Sequence, residues 1–448
     1  MNAQDDVARS PSPVSEAEFA ACLSSFDPGR SVAVAFSGGP DSLALLVLAA
    51  RWAARRKNTV LHAFTVDHGL RAASGREAKE AARLSAALGV PHRILKWKGE
   101  KPSTGIQAAA REARYGLLFA ACRDVGANDL LVAHHLEDQA ETFLLRLSRG
   151  SGIDGLAAMP ASRPLRDDDP ALRLLRPLLD LPRARLLATV AKSRLTPIQD
   201  PSNENERFDR VKARKALSIL APLGLDAARL ARTAAQMGRA REALEAEMAR
   251  LLAGQASYSA FGFAEMKAEA LIGAPAEIGL RALAALIRAA GGGRYAPRLV
   301  QLEAVHAAIG AGALGRGRTL GGVKLALKGG ILIVSREVAA AQGAAPLLLR
   351  QGEEGIWDGR FRLRLDRAPR GRRFEVRALG SEGLAALRAT QTGLPEVPSA
   401  ILQALPGLWV SDKLAAAPHL GTLRRGMEVR VALRRMPWPD IGKGAEKA

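Results

Sequence analysis

The string Ser37-Gly38-Gly39-Pro40-Asp41-Ser42 lies between an apolar run, residues 31–36, and an amphipathic stretch, residues 41–55. No other feature restricts the fold of this chain as strongly. The run SVAVAF reads as a strand buried on both faces. After it, Leu43, Leu46, Val47, Ala50 and Ala54 recur at helical spacing. A strand, a glycine turn and a helix start leave free backbone N–H groups where phosphate is attracted. Gly38 and Gly39 permit close approach to an anion. Ser37 and Ser42 add hydroxyls, and Asp41 offers a carboxylate to a magnesium ion. An ordinary Gly-Pro turn is the plainer alternative; the flanking strand and helix favour a phosphate loop.

A Walker-type loop carries a lysine before its last Ser/Thr, to reach the terminal phosphates. Here Asp41 holds that position. The loop therefore resembles that of the N-type ATP pyrophosphatases, which bind ATP and release pyrophosphate, leaving AMP on the substrate. That resemblance implies ATP binding by Ser37, Gly38, Gly39, Pro40, Asp41 and Ser42.

Residues 31–150 alternate between strand and helix. Strands are expected at 60–66, 92–97 and 130–133, with helices at 75–88, 107–125 and 136–147. This predicts an α/β fold with a doubly wound parallel sheet. In such sheets ligands bind beyond the carboxyl ends of strands, where Ser37, Asp67 and His134 all fall. From about residue 222 the pattern turns helical, with a hairpin expected over 325–334. Short strand-like runs fill 347–436, after a Gly- and Ala-rich linker at 342–346. The expected organisation is an extension (1–27), a catalytic domain (28–216), a mainly helical middle domain (217–341), a small strand-rich domain (347–436) and a disordered tail (437–448).

At 448 residues the chain has room for two or three domains. Its 65 Lys and Arg against 45 Asp and Glu give a formal charge of +20, which points to a polyanion, nucleic acid before membrane. A solubilising surface, or the Arg and Ala bias of a GC-rich genome, explains the charge about as well. Cys22 and Cys122 are the only cysteines, which excludes a disulfide framework and a Cys-x-x-Cys site. Residues 1–18 lack the apolar core of a signal peptide, and no run is long enough for a membrane span. A cytoplasmic protein without membrane partners is expected.

Three further strings carry chemistry. Asp67-His68-Gly69-Leu70-Arg71 follows a strand and suits adenosine or phosphate contact, or simply a capped turn. Arg111 and Arg114 share a helix face beside Tyr115, which suits phosphate and base contacts, or a solvated face. The string HHLEDQAET, residues 134–142, gathers two histidines and three acids where a strand meets a helix. Part of that is ordinary capping. Asp138 is the candidate for magnesium and substrate orientation, with a polar active-site role for one histidine.

SGGPDS, VDHGLR, REARY, HHLEDQAET with RGSG, then Arg176-Pro177-Leu178 and DPSN occur in this order. Together they closely resemble the tRNA(Ile)-lysidine synthases, over roughly the first half of the chain. The resemblance implies ATP, magnesium, free lysine and a tRNA(Ile) with a CAU anticodon. It implies ligation of lysine to C2 of cytidine 34 through an adenylated intermediate, which changes decoding from AUG to AUA. Asp41, Asp138, Arg111 and His135 are then expected to be catalytic, with Asp41 and Asp138 on magnesium. Asp67 and His68 would join the ATP loop. Arg111, Arg114, Glu141, Arg149 and Asp200 would bind substrate, the later domains would grip tRNA, and a homodimer is compatible. Two positions depart from the family pattern: Val211 stands where an Asn is usual, and Gln199 where an acid is usual. A tRNA thiolase of the same class is a rival, but it generally needs cysteines near the motifs. An ATP-dependent amidating synthetase would need an ammonia source, and no glutaminase nucleophile is evident. A non-catalytic RNA-binding protein would have no need of Asp41 and Asp138.

Overall fold

The computed structural model describes residues 11–433, apart from 72, 100, 103, 167–168, 200–208, 294, 370, 391–392 and 423–427. Asp200 with its DPSN string, and the tail at 437–448, lie outside the described residues. The chain divides into two compact units, Met1–Arg241 and Glu242–Ala448.

The first unit holds α1 (Glu16–Ser24), β1 (Ser31–Ala35), α2 (Pro40–Ala54), β2 (Val60–Asp67), α3 (Ser74–Ala87), β3 (His92–Lys96), α4 (Ile106–Asp124), β4 (Asp129–Leu131) and α5 (Leu136–Leu147). Then come α6 (Ile153–Leu156), β5 (Ser162–Arg166), β6 (Asp169–Leu175), α7 (Arg183–Ser193) and α8 (Asp209–Leu220). The long α9 (Ala227–Gln255) runs through the division between the units. Each element expected between residues 31 and 147 is present close to its expected bounds. The six strands are ordered β3-β2-β1-β4-β6-β5. All neighbours pair in parallel except β5 with β6. From β1 the chain goes to β2 and β3 on one side, then returns to place β4 on the other. The topological switch therefore lies between β1 and β4, and a crevice opens beyond their carboxyl ends. Ser37 follows β1 and His134 follows β4, so the two richest motifs border that crevice.

α2 is apolar nearly all round and is buried from Ser42 to Ala49. It packs with β1, α1 and α7 in one core. α1, expected to be part of an extension, is built into this core through Phe19 and Leu23, 0% and 1% exposed. Arg185 of α7 holds it with two hydrogen bonds to Glu18, at 2.9 and 3.0 Å. The β5–β6 pair was not foreseen. Pro164 and the arginines break the apolar alternation there, and β5 is an edge strand, where proline is tolerated.

In the second unit the later part of α9 is followed by β7 (Ala256–Tyr258), β8 (Ala264–Lys267), α10 (Ala268–Gly273), α11 (Ala276–Gly291), α12 (Leu299–Gly310), β9 (Arg318–Leu320), β10 (Val323–Lys328) and β11 (Ile331–Arg336). Its helices pack on an antiparallel sheet ordered β7-β8-β11-β10-β9. The expected hairpin is β10–β11, turned by Gly329 and Gly330 at φ of 56° and 76°. After α13 (Val338–Gln342), the strand-rich part holds β12 (Leu347–Leu349), β13 (Glu354–Trp357), β14 (Phe361–Arg367), β15 (Phe374–Ala378), α14 (Gly380–Thr390) and α15 (Ser399–Gln403). It ends with β16 (Pro406–Val410), β17 (Lys413–Ala417), β18 (Gly421–Thr422) and β19 (Glu428–Leu433). A buried ion triad ties this part to β11. Arg336 donates to Asp358 at 3.0 Å, and Arg360 donates to Asp358 at 2.7 Å and to the Ala404 carbonyl at 2.6 Å. Among the described residues no helix is long and apolar enough to cross a membrane.

Candidate active site

The loop after β1 is held in shape by its own serines. The Ser37 backbone N–H donates to Ser42 Oγ at 3.2 Å, and the two hydroxyl oxygens are 3.0 Å apart. Ser42 Oγ in turn donates to the Gly39 carbonyl at 3.0 Å. Gly39 is the N-cap of α2 and Pro40 its first residue, where the missing N–H costs nothing. Gly38 is required twice. Its φ is +82°, and a Cβ there would lie 2.3 Å from Ile198 Cδ1. Its carbonyl accepts from the Ile198 N–H at 2.9 Å, which pins the segment after α7 against the loop.

Beyond β4 the first turn of α5 gathers acids around one imidazole. His135, 3% exposed, shares a hydrogen bond of 3.0 Å between Nδ1 and Glu137. Its Nε2 lies 3.5 Å from Asp138 and 3.9 Å from Asp41. Burial alone would lower this imidazole, but Glu137, Asp138 and Asp41 outweigh it and the net shift is upward. Burial would likewise raise Glu137. The His135 ring and the Arg183 backbone N–H, at 2.9 Å, hold it lower. Asp138 also accepts from the His135 backbone N–H at 3.1 Å, so capping and site roles coexist in one side chain.

Three arginines not named among the expected site residues complete this side. Arg183 Nε donates to Asp41 at 3.0 Å. Arg210 and Arg214 project from α8, reaching Asp138 at 3.6 Å and Glu141 at 3.0 Å. Their i, i+4 spacing in RVKAR was the available signal. Val211 lies between them, half-buried, and leaves both arginines in place. Glu141 is 1% exposed, with Oε2 buried and without a hydrogen-bond partner. Burial raises its pKa, and Arg214 offsets part of that. A cavity of about 310 Å³ opens here, lined by His135, Glu137, Glu141, Arg183, Arg214 and Asp226 among others.

The opposite side is cationic. The Arg111 and Arg163 guanidiniums lie 5.0 and 5.3 Å from the centre of the Tyr115 ring. Arg176, 4% exposed, donates from Nε to His134 Nδ1 at 3.3 Å and from NH1 to the Pro160 carbonyl at 2.7 Å. Burial and the surrounding arginines push His134 down to about 2. Arg114 acts on His134 and also on His68, which burial lowers first. His68 packs edge-on against Trp97, its Nδ1 buried and unpartnered. Asp67 accepts from the Gly69 N–H at 2.9 Å, so the turn-capping reading of this string is realised. Arg149 pairs with Asp209 at 2.8 Å, both exposed, and does not join the cluster around His135. Burial pushes the Cys122 thiol up to about 12 and also raises Cys22, which disfavours the thiolate at both.

Magnesium favours oxygen donors, and Asp41 and Asp138 flank the same nitrogen of His135. Among the described residues no three metal-ligating side chains converge. Two carboxylates completed by phosphate oxygens and water is how magnesium is commonly held beside a nucleotide, so the residues fit it.

A family model described as the PP-loop domain matches residues 11–220. The tRNA(Ile)-lysidine synthase of Rhodopseudomonas palustris is 43% identical over 338 residues, covering 72% of this chain and 94% of that protein. That of Ruegeria pomeroyi is 40% identical over 405 residues, covering 89% and 90%. That of Methylobacterium sp. (strain 4-46) is 46% identical over 314 residues, covering 68% and 89%.

Proposed function

This chain belongs to the tRNA(Ile)-lysidine synthase family, and from that premise we propose that it ligates free lysine to C2 of cytidine 34 in the CAU anticodon of tRNA(Ile). The near full-length match at 40% identity carries this reading. The cytosine C2 carbonyl has no leaving group. Its oxygen attacks the α-phosphorus of ATP and pyrophosphate departs. The lysine ε-amine then attacks C2, the C–O bond breaks, and AMP leaves with the oxygen. The product decodes AUA rather than AUG, and the reaction belongs to the cytoplasm.

Each side chain has a task in this scheme. The Ser37–Ser42 loop and the start of α2 hold the ATP phosphates, with Asp67 and His68 toward the adenosine. Magnesium, when bound, neutralises charge on the departing pyrophosphate, and Asp41 and Asp138 are the residues that would hold it. The attacking amine must be neutral although its ordinary pKa is ~10.4, so it needs a proton acceptor. Asp138 takes that role, oriented by His135. Glu141 receives an ammonium of lysine in the cavity it lines. Arg111 and Arg114 hold substrate near cytidine 34, and Arg149 serves the RNA away from the reacting atoms.

The test combines purified protein, ATP, magnesium, labelled lysine and a CAU-bearing tRNA(Ile) transcript, with nucleoside mass spectrometry of the product. Lysine on cytidine 34, lost in Asp41→Ala while tRNA affinity stays nearly intact, is the expected result. AMP release without lysine transfer would overturn the choice of nucleophile. Normal turnover by Asp41→Ala would overturn its role at the phosphates.

A further inference from the structure

Several arginines of the first unit have an acid. Arg173 has Asp129, Arg183 has Asp41, Arg185 has Glu18 and Arg214 has Glu141. The group around Tyr115 is built differently. Arg176 is 4% exposed, and the acceptors it meets are an imidazole and a carbonyl, both neutral. Arg163 rests on the Tyr115 ring and donates to the Pro164 carbonyl at 2.9 Å. Arg111 covers the same ring. A cation placed on an aromatic face is held in position without being neutralised, and its N–H edge stays available. A buried cation with neutral partners is costly, and an entering anion relieves that cost. The charges bearing most on Tyr115 are Arg111, Arg114, Arg163 and Arg176, and together they lower its phenol despite burial.

We propose that Arg111, Arg163 and Arg176, gathered around Tyr115, clamp a phosphodiester of the RNA strand next to the reacting nucleotide. The proposal rests on the lysidine synthase reading and adds a backbone site to it. The chemistry is that of a phosphate meeting planar, multidentate donors. ATP is the other source of phosphate, but it has its own donors in the loop after β1. The Tyr115 group instead belongs to α4, β5 and the residue after β6. Arg163 comes from the edge strand of the sheet, where a long polyanion has access.

Arg163→Ala is the informative change, since the reacting atoms do not involve Arg163. Dissociation constants for the tRNA(Ile) transcript and for its isolated anticodon stem-loop are measured from 50 to 300 mM salt. Removing one phosphate contact lowers the slope of log K against log salt by about 0.7–0.9 for both RNAs, while the KM for ATP is unchanged. Tyr115→Leu keeps every charge and removes the support, so it weakens both RNAs with a smaller change in slope. Thermal melting confirms that each variant is folded. An unchanged slope overturns the clamp, and so does a raised KM for ATP with RNA binding intact, which would assign the anion to the nucleotide. A loss seen with whole tRNA but absent with the stem-loop also overturns it. If the wild-type protein makes no lysidine yet the slope falls as stated, the clamp stands and the reaction assignment fails.

Discussion

Glu141 gives one carboxylate oxygen to Arg214 and keeps the other buried without a partner. An unpaired buried acceptor is costly, and a cationic ligand in the adjoining cavity would repay it. Glu141→Gln should therefore raise the KM for lysine by about tenfold to a hundredfold, the worth of one charge-assisted hydrogen bond, with the KM for ATP nearly unchanged. Steady-state kinetics with each substrate varied would settle it; equal effects on both would remove Glu141 from the lysine site. Gly38 is the second sensitive residue. Gly38→Ala faces both a positive φ and the Ile198 methyl, and should destabilise the fold by about 2 kcal/mol or more. Denaturant unfolding measures this, and a neutral result would mean that the loop and Ile198 part easily. The sequence marked Gly38 as a turn residue but carried no sign of Ile198, because that partner is 160 positions away along the chain.

Among the elements, the ones legible from sequence were those with a continuous or periodic apolar pattern. β1 and α2 were readable because one is apolar throughout and the other apolar at helical spacing. β5 and β6 were not, because an edge strand rich in arginine and proline has no apolar signature. The same gap hid Arg163 and left Arg176 a quoted string without a role. α1 was also missed as a core element. Its capping box at Ser15 and Glu18 was present in the sequence, but two apolar anchors in nine residues do not announce burial. The site itself was half readable. Its acids sit in motifs, whereas Arg183, Arg210 and Arg214 come from α7 and α8, and only the folded chain brings them to Asp41, Asp138 and Glu141.

At the scale of the whole molecule, one buried carboxylate joins two arginines within the second unit. Asp358 is 3% exposed in its side chain and stands between Arg336 and Arg360. Asp358→Ala leaves two cations without their partner and should cost about 3–5 kcal/mol, seen as early loss of Trp357 and Trp409 fluorescence in urea. Loss at the wild-type midpoint would show that the triad contributes little. A pH effect belongs to the same unit. Burial, with Arg360 nearby, brings His419 down to about 4. In the unfolded chain it titrates near ~6.5. The unfolded state therefore binds the proton first. The contribution of His419 is whole above about pH 6.5 and is lost as pH falls toward about 4. His419→Phe should flatten this acid limb of the melting curve, and a limb as steep as wild type would assign the loss elsewhere.

The bond from Arg176 to His134 has one more consequence. Arginine can only donate, so His134 Nδ1 accepts and the single ring proton resides on Nε2. Burial, with the neighbouring guanidiniums, opposes a second proton there. Two adjacent histidines thus have oppositely shifted imidazoles. His134 is held neutral, offering the same hydrogen. His135, set among acids, is shifted the other way, toward holding a proton.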